Sequence, residues 1–407
     1  MTGCEVAITG LGIVSPLGCT TDLFASALRA GRTAIGPLGN SYGDLHDVPA
    51  ARIIDFGEDV DAREWRSLDR VSQFAVAAAR DAVADSGLHF DAPLAARTAV
   101  ILGSTTGGQT TVDEAYARLY RDNLRVPPAT IPRWMVNAPA GNVSIRHGIT
   151  GPSFCIASAC ASAAHAIGLA YSMVRSGTVS AAITGGVDAS LSYGAIKCWE
   201  AMRIMAPDLC RPFSRGRRGM TLGEGGAVFV LEPLEHARAR GARIHAKIIG
   251  FGATSDAGSI AAPTPAGAAQ AMAMCMSDAG IAPEQVDYIN AHGTGTFAND
   301  ISETTAIRQA LGRHSARVAV SSTKGAHGHA LGAAGGLELM ATIMAMRDDF
   351  LPPTLNFEEP DPECDLDYVP NHARAHRIDT ALSNSFAFGG HNAVLAVSRG
   401  DYPCAHS

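Results

Sequence analysis

Hydrophobic and polar positions along this chain of 407 residues switch repeatedly between two patterns. Short, nearly unbroken apolar runs predict buried strands at Glu5–Thr9, Thr98–Leu102, Ala181–Thr184, Ala227–Leu231, Asp287–Asn290, Val318–Ser321 and Ala393–Val397. Longer segments with helical spacing predict helices at Asp22–Ala30, Ser72–Ser86, Ala161–Ser176, Pro265–Ala279 and Gly335–Arg347. Strands of this kind alternating with helices imply an α/β layered fold whose sheets are buried. No linker rich in Pro, Ser or charge divides the chain, and Gly250–Asp256 is the expected seam.

Composition narrows the function classes. With 47% hydrophobic residues and 43 glycines, the chain has ample material for a large core and many tight turns. The most apolar stretch, Gly335–Met346, contains Glu338 and has helical length, so no membrane span is expected. The N-terminus lacks a basic region followed by a hydrophobic core, which predicts a cytoplasmic protein. Nine scattered cysteines without a C-x-x-C pair argue against a disulfide framework or a zinc site. A formal charge of −7 gives no basis for nucleic-acid binding. Local charge differs: Arg203, Arg211, Arg215, Arg217 and Arg218 cluster in sequence, and Arg63 and Arg66 form a smaller group, suited to an acidic, phosphate-bearing partner. Gly10-Leu-Gly12 invites a dinucleotide-binding reading, but Ser15 replaces the third glycine and Pro16 follows, so no nucleotide cofactor is expected.

Three segments carry candidate chemistry. Cys160 stands where a β-prone stretch beginning at Gly151 turns into a helical pattern, and a helix N-terminus lowers a thiol's pKa. His292, in Asn290-Ala-His-Gly-Thr294-Gly-Thr296, and His329, in Ser322-Thr-Lys324-Gly-Ala-His327-Gly-His329, each follow a strand-like run among small residues. Taken singly, each is more often a structural residue. Together, a thiol and two histidines at three strand ends point to acyl transfer through a thioester.

With these motifs in this order, from Val6–Pro16 to Asn384–Asn392, the chain resembles the elongating β-ketoacyl-acyl carrier protein synthases of the thiolase-like superfamily. Within them, Trp199–Arg203, Ala206–Ser214 and Glu359–Asp367 resemble the nodulation protein E branch, whose members build unusual, often polyunsaturated, acyl chains. The resemblance implies two similar βαβαβαββ halves, 1–253 and 254–407, in a layered αβαβα architecture. It implies a decarboxylative Claisen condensation with no cofactor and no metal. Cys160 would take the acyl chain, and His292 and His329 would stabilise the malonyl enolate. Lys324, ion-paired with Glu303, would set the local electrostatics. Backbone N–H groups of Cys160 and Phe388 would form an oxyanion hole, with Phe388 also gating the acyl pocket. Thr294 and Thr296 would bind the pantetheine arm, Thr106 would line the acyl pocket, and Gly389 and Gly390 would let backbone pass close to a ligand. His391, where many relatives carry Thr or Ser, is expected behind the site. Acyl carrier protein would dock on Arg63, Arg66 and Arg203. The chain would act as a homodimer, or as a heterodimer with a chain-length-factor subunit in a type II polyketide or aryl-polyene pathway. A degradative thiolase would want a second catalytic cysteine near the C-terminus, and a dead chain-length factor would lack Cys160.

Overall fold

A computed structural model describes residues 3–56 and 62–400. The first part of the chain supplies strands β1 (Val6–Val14), β2 (Thr98–Gly103), β3 (Ser153–Ile156), β4 (Ala181–Asp188) and β5 (Gly225–Pro233). The second supplies β6 (Ala246–Ser255), β7 (Tyr288–Asn290), β8 (Ala319–Ser321), β9 (Thr380–Ala387) and β10 (His391–Arg399). All ten form one ladder in the order β8-β7-β9-β10-β6-β1-β5-β4-β2-β3. In the first half β5 lies antiparallel between β1 and β4, and β2 and β3 run parallel to β4. In the second half β10 lies antiparallel between β6 and β9, and β7 and β8 run parallel to β9. The two halves therefore have the same strand order and the same directions, a duplication that no sequence repeat announces. They join where Val6–Ile8 of β1 pairs with Ala246–Ile248 of β6.

Helices complete the layers: α1 (Arg70–Ser86), α2 (Ser162–Arg175), α3 (Tyr193–Ala201), α4 (Pro265–Ala279), α5 (Phe297–Leu311) and α6 (Ala334–Asp348). Helix α1 covers β1, β5 and β4 from outside, and α4 covers β6 and β10 with α5 beside it. Between the sheet halves lie α2 and α6, which touch each other and strands of both halves. Helix α6 is buried from Ala334 to Met346 on every side, which its all-round apolar sequence permits. No described helix is long and apolar enough to cross a membrane.

Every predicted strand and helix is present with shifted ends, whereas, among the elements named here, β6, β9, α3 and α5 were not anticipated. The expected seam Gly250–Asp256 proves to be strand β6 as far as Ser255. Its glycines serve packing: a Cβ at Gly252 would lie 2.1 Å from the Ala271 carbonyl oxygen of α4. Gly10 and Gly12 have the same role, since a Cβ there would sit 2.0 and 1.8 Å from the carbonyl oxygens of Ala82 and Ala78 in α1.

Candidate active site

Cys160 lies between β3 and α2 in a turn whose preceding residue, Ala159, has φ +48°, the left-handed region that a residue with a Cβ rarely adopts. Two loops from the second half meet it. One follows β7 and carries His292, Thr294 and Thr296; the other follows β8, makes the short helical turn Lys324–His327 and delivers His329. Cys160, His292 and His329 are all buried. Sγ of Cys160 is 3.1 Å from Nε2 of His329. The two imidazoles meet edge to face with centroids 5.3 Å apart. A donor atom from each of the three residues lies within 4.8 Å of the others, as in a soft metal site.

Lys324 is fully buried behind the histidines. Its Nζ donates to the backbone carbonyl of His292 and the Glu338 carboxylate, and lies 3.4 Å from Nδ1 of His292. An ammonium only donates, so Nδ1 of His292 is the acceptor and Nε2 carries the ring proton towards the site. The expected Lys324–Glu303 pair is thereby corrected: the partner is Glu338, which α6 places opposite Lys324. Glu303 of α5 accepts from the backbone N–H groups of His292 and Gly293, at 2.8 and 2.7 Å, and from Asn384 at 3.2 Å, so it fixes the histidine loop. Glu338 escaped notice as a site residue, although a lone carboxylate inside the apolar run 335–346 was its signal.

Burial governs the electrostatics. It pushes the Cys160 thiol up to about 12, with nearby Lys324 pulling the other way. The expected lowering at a helix N-terminus is overridden, because desolvation disfavours the thiolate. Burial and the Lys324 charge hold His292 and His329 well below the usual histidine range, so both imidazoles are neutral.

Two cavities meet at Cys160. One is lined by His292, Thr294, Thr296, His329, Phe388 and Gly390. The hydroxyls of Thr294 and Thr296 are 2.8 Å apart on its wall. The other, of about 370 Å³, is lined by Thr105, Thr106, Gln109, Ser190, Leu331 and Phe388. Phe388 stacks on Trp199 with centroids 6.2 Å apart, and both rings border both cavities. Thr106 lines the second cavity and Phe388 both, and Trp199, not singled out in the sequence, lines both as well. Gly389 and Gly390 have φ of +84° and +68°. A Cβ at Gly390 would come within 2.6 Å of the Asp256 Cβ, so the close approach there is to the end of β6, with the cavity beside it. His391 opens β10 as an exposed residue that lines neither cavity.

The arginine cluster divides. Arg66 and Arg203 are exposed, as the docking expectation requires, and the side chain of Arg63 lies outside the described residues. Arg217 instead is buried against Asp300 and Asp361. Arg211 pairs with Asp208 and Glu358, and Arg218 with Asp208. Arg217 and Arg211 tie the 208–218 loop to Asp300, Asp361 and Glu358 outside it, the buried Arg217 because a desolvated guanidinium requires carboxylate partners, whereas the exposed Arg218 pairs with Asp208 within the loop.

Comparison with known proteins follows the same geometry. Residues 4–237 match the beta-ketoacyl synthase N-terminal domain and 245–358 its C-terminal domain. Nodulation protein E of Rhizobium sp. (strain N33) is 45% identical over 397 residues, covering 96% of this chain and 98% of that protein. The 3-oxoacyl-[acyl-carrier-protein] synthase 2 of Synechocystis sp. is 41% identical, covering 97% and 98%. The solved structure of the ishigamide ketosynthase/chain length factor superimposes with a TM-score of 0.91 at 34% identity, covering 98% of this chain and 100% of that one.

Proposed function

The chain belongs to the β-ketoacyl synthase family of acyltransferases, and from that premise we propose that it condenses malonyl-acyl carrier protein with an acyl chain held on Cys160. The single observation that carries this reading is the thiol of Cys160 against Nε2 of His329 at the junction of two cavities. His329 is neutral and its Nε2 lies 3.1 Å from the Cys160 sulfur, so this nitrogen accepts the thiol proton. Sulfur then attacks the carrier thioester, and the proton passes to the departing pantetheine sulfur. In the second half reaction the malonyl group loses CO₂. The oxygen of the resulting enolate faces the Nε2–H of His292, whose tautomer Lys324 fixes. The enolate carbon attacks the acyl thioester; the oxyanion formed there is the charge that N–H groups of Cys160 and Phe388 would meet. Collapse releases the 3-ketoacyl carrier thioester and frees Cys160.

The Thr294 and Thr296 hydroxyls suit a pantetheine arm in the first cavity, and the second cavity, beyond the Phe388–Trp199 pair, suits the acyl chain. The similarity to nodulation protein E supports a specialised acyl product. The ishigamide structure supports a second reading, a polyketide-type ketosynthase working with a chain-length factor. Either way a second chain is wanted, and edge strand β3 exposes Ser153 and Phe154 to pair with one. The cytoplasmic setting expected from the sequence accompanies this reading. Incubating the purified chain with malonyl- and acyl-carrier thioesters tests it: CO₂ and a 3-ketoacyl carrier are expected, and neither being formed would reject it.

A further inference from the structure

His165, in the first turns of α2, lines neither cavity, yet its Nδ1 lies 2.8 Å from the hydroxyl of Ser158 in the turn that leads into Cys160. That turn is tied from a second side. The Ser158 backbone N–H donates to Oγ of Ser162 at 2.9 Å, and the same hydroxyl donates to the carbonyl of Ala159 at 2.6 Å. Ala159 holds the left-handed φ of +48°. Such a conformation is strained for a residue with a Cβ, and persists only where its surroundings over-determine it. His165 is itself fixed, its ring standing edge to face with Phe251 of β6 at 6.2 Å and 84°.

We propose that His165 is a positioning residue for the nucleophile: through Ser158 it holds the strained turn at Ala159 that presents the Cys160 sulfur to His329. The ring touches no substrate in this account. It carries the rigidity of β6, a strand of the second half, to the nucleophile turn of the first. A sulfur displaced by a fraction of an ångström would lose its line to Nε2 of His329, so the effect falls on the chemical step. Binding of the carrier is untouched. The proposal rests on Cys160 being the nucleophile.

The test uses Ser158→Ala, His165→Phe and His165→Asn in the full chain. Phe keeps the ring and the Phe251 contact without a nitrogen; Asn keeps a hydrogen-bonding atom near the place of Nδ1. Alkylation of Cys160 by iodoacetamide, read by intact mass, should slow about tenfold in Ser158→Ala and His165→Phe, the scale of a modest loss of alignment. kcat should fall in proportion with KM unchanged, and His165→Asn should recover most of both. Wild-type rates in Ser158→Ala and His165→Phe would overturn the proposal; should His165→Phe fail to fold, Ser158→Ala decides alone. Acyl-adduct formation at Cys160 in the wild-type chain is the separate control. Its failure would reject the functional reading, whereas intact variants beside an acylated wild type reject only the role of His165.

Discussion

The sulfur of Cys160 and Nε2 of His329 stand 3.1 Å apart although 169 positions separate them in the chain. His292 is turned differently, with its Nδ1 3.4 Å from the Lys324 ammonium. One histidine is thus placed to move the thiol proton and the other to offer a fixed N–H.

Replacing each should separate the half reactions. His292→Ala should slow malonyl decarboxylation about a hundredfold or more, the scale of losing one preorganised oxyanion donor, and leave acyl transfer to Cys160 much less affected. His329→Ala should chiefly slow acyl transfer to Cys160. Single-turnover CO₂ release and acyl-enzyme formation measure the two steps, and equal loss of both in His292→Ala would show that the roles are misassigned.

The partner of Lys324 can be checked by stability. Removing one member of a buried ion pair costs about 3–5 kcal/mol because the other charge is left uncompensated. Lys324→Ala and Glu338→Ala should each lower stability on that scale, and the double variant should fall short of their sum by about 2 kcal/mol in urea unfolding. Strict additivity would mean that Glu338 is not the partner.

His327 offers a pH signature outside the reacting trio. Its ring bonds Gly328 and Thr323 at 2.9 and 2.8 Å, and burial beside Lys324 holds its pKa down to about 3. As pH falls below about 6.5 the unfolded chain binds a proton at this ring and the folded chain does not, so the histidine's contribution to stability is present above that pH and is lost below it. Against His327→Asn, the wild type should lose about 1.4 kcal/mol of relative stability per pH unit between pH 6 and 5. A difference that stays constant with pH would contradict the neutral buried ring.

Carrier docking should depend on the exposed arginines. Charge reversal at Arg66 or Arg203 should raise KM for carrier-bound substrate, and salt should shrink the defect because exposed charges are screened. Turnover of a small pantetheine thioester should hardly change. A comparable loss with both substrates would place these side chains in support of the fold.

Much of this architecture was legible in the pattern of residues. Buried strands such as Ala181–Asp188 are apolar on both faces, and strand ends bearing Cys160, His292 and His329 among small residues announce chemistry before any contact is known. Strand β6 hid itself because Gly250 and Gly252, which look like turn residues, are there to admit α4. The ion pairs were least legible. Glu303 and Glu338 are both buried carboxylates on helices, and only the packing of α6 against the Lys324 turn decides which of them meets the ammonium. The thiol's raised pKa was equally hidden, since it depends on how completely the second half covers the turn at Cys160.

The most direct test of the central claim is the mass of the intact chain after incubation with a panel of acyl-carrier thioesters. The wild type should gain the mass of one acyl group, mapped by peptide digestion to Cys160, with the most readily loaded chain identifying the natural substrate. Cys155→Ala should load as the wild type does and Cys160→Ala should gain nothing. Robust acylation of the Cys160→Ala chain would contradict the account.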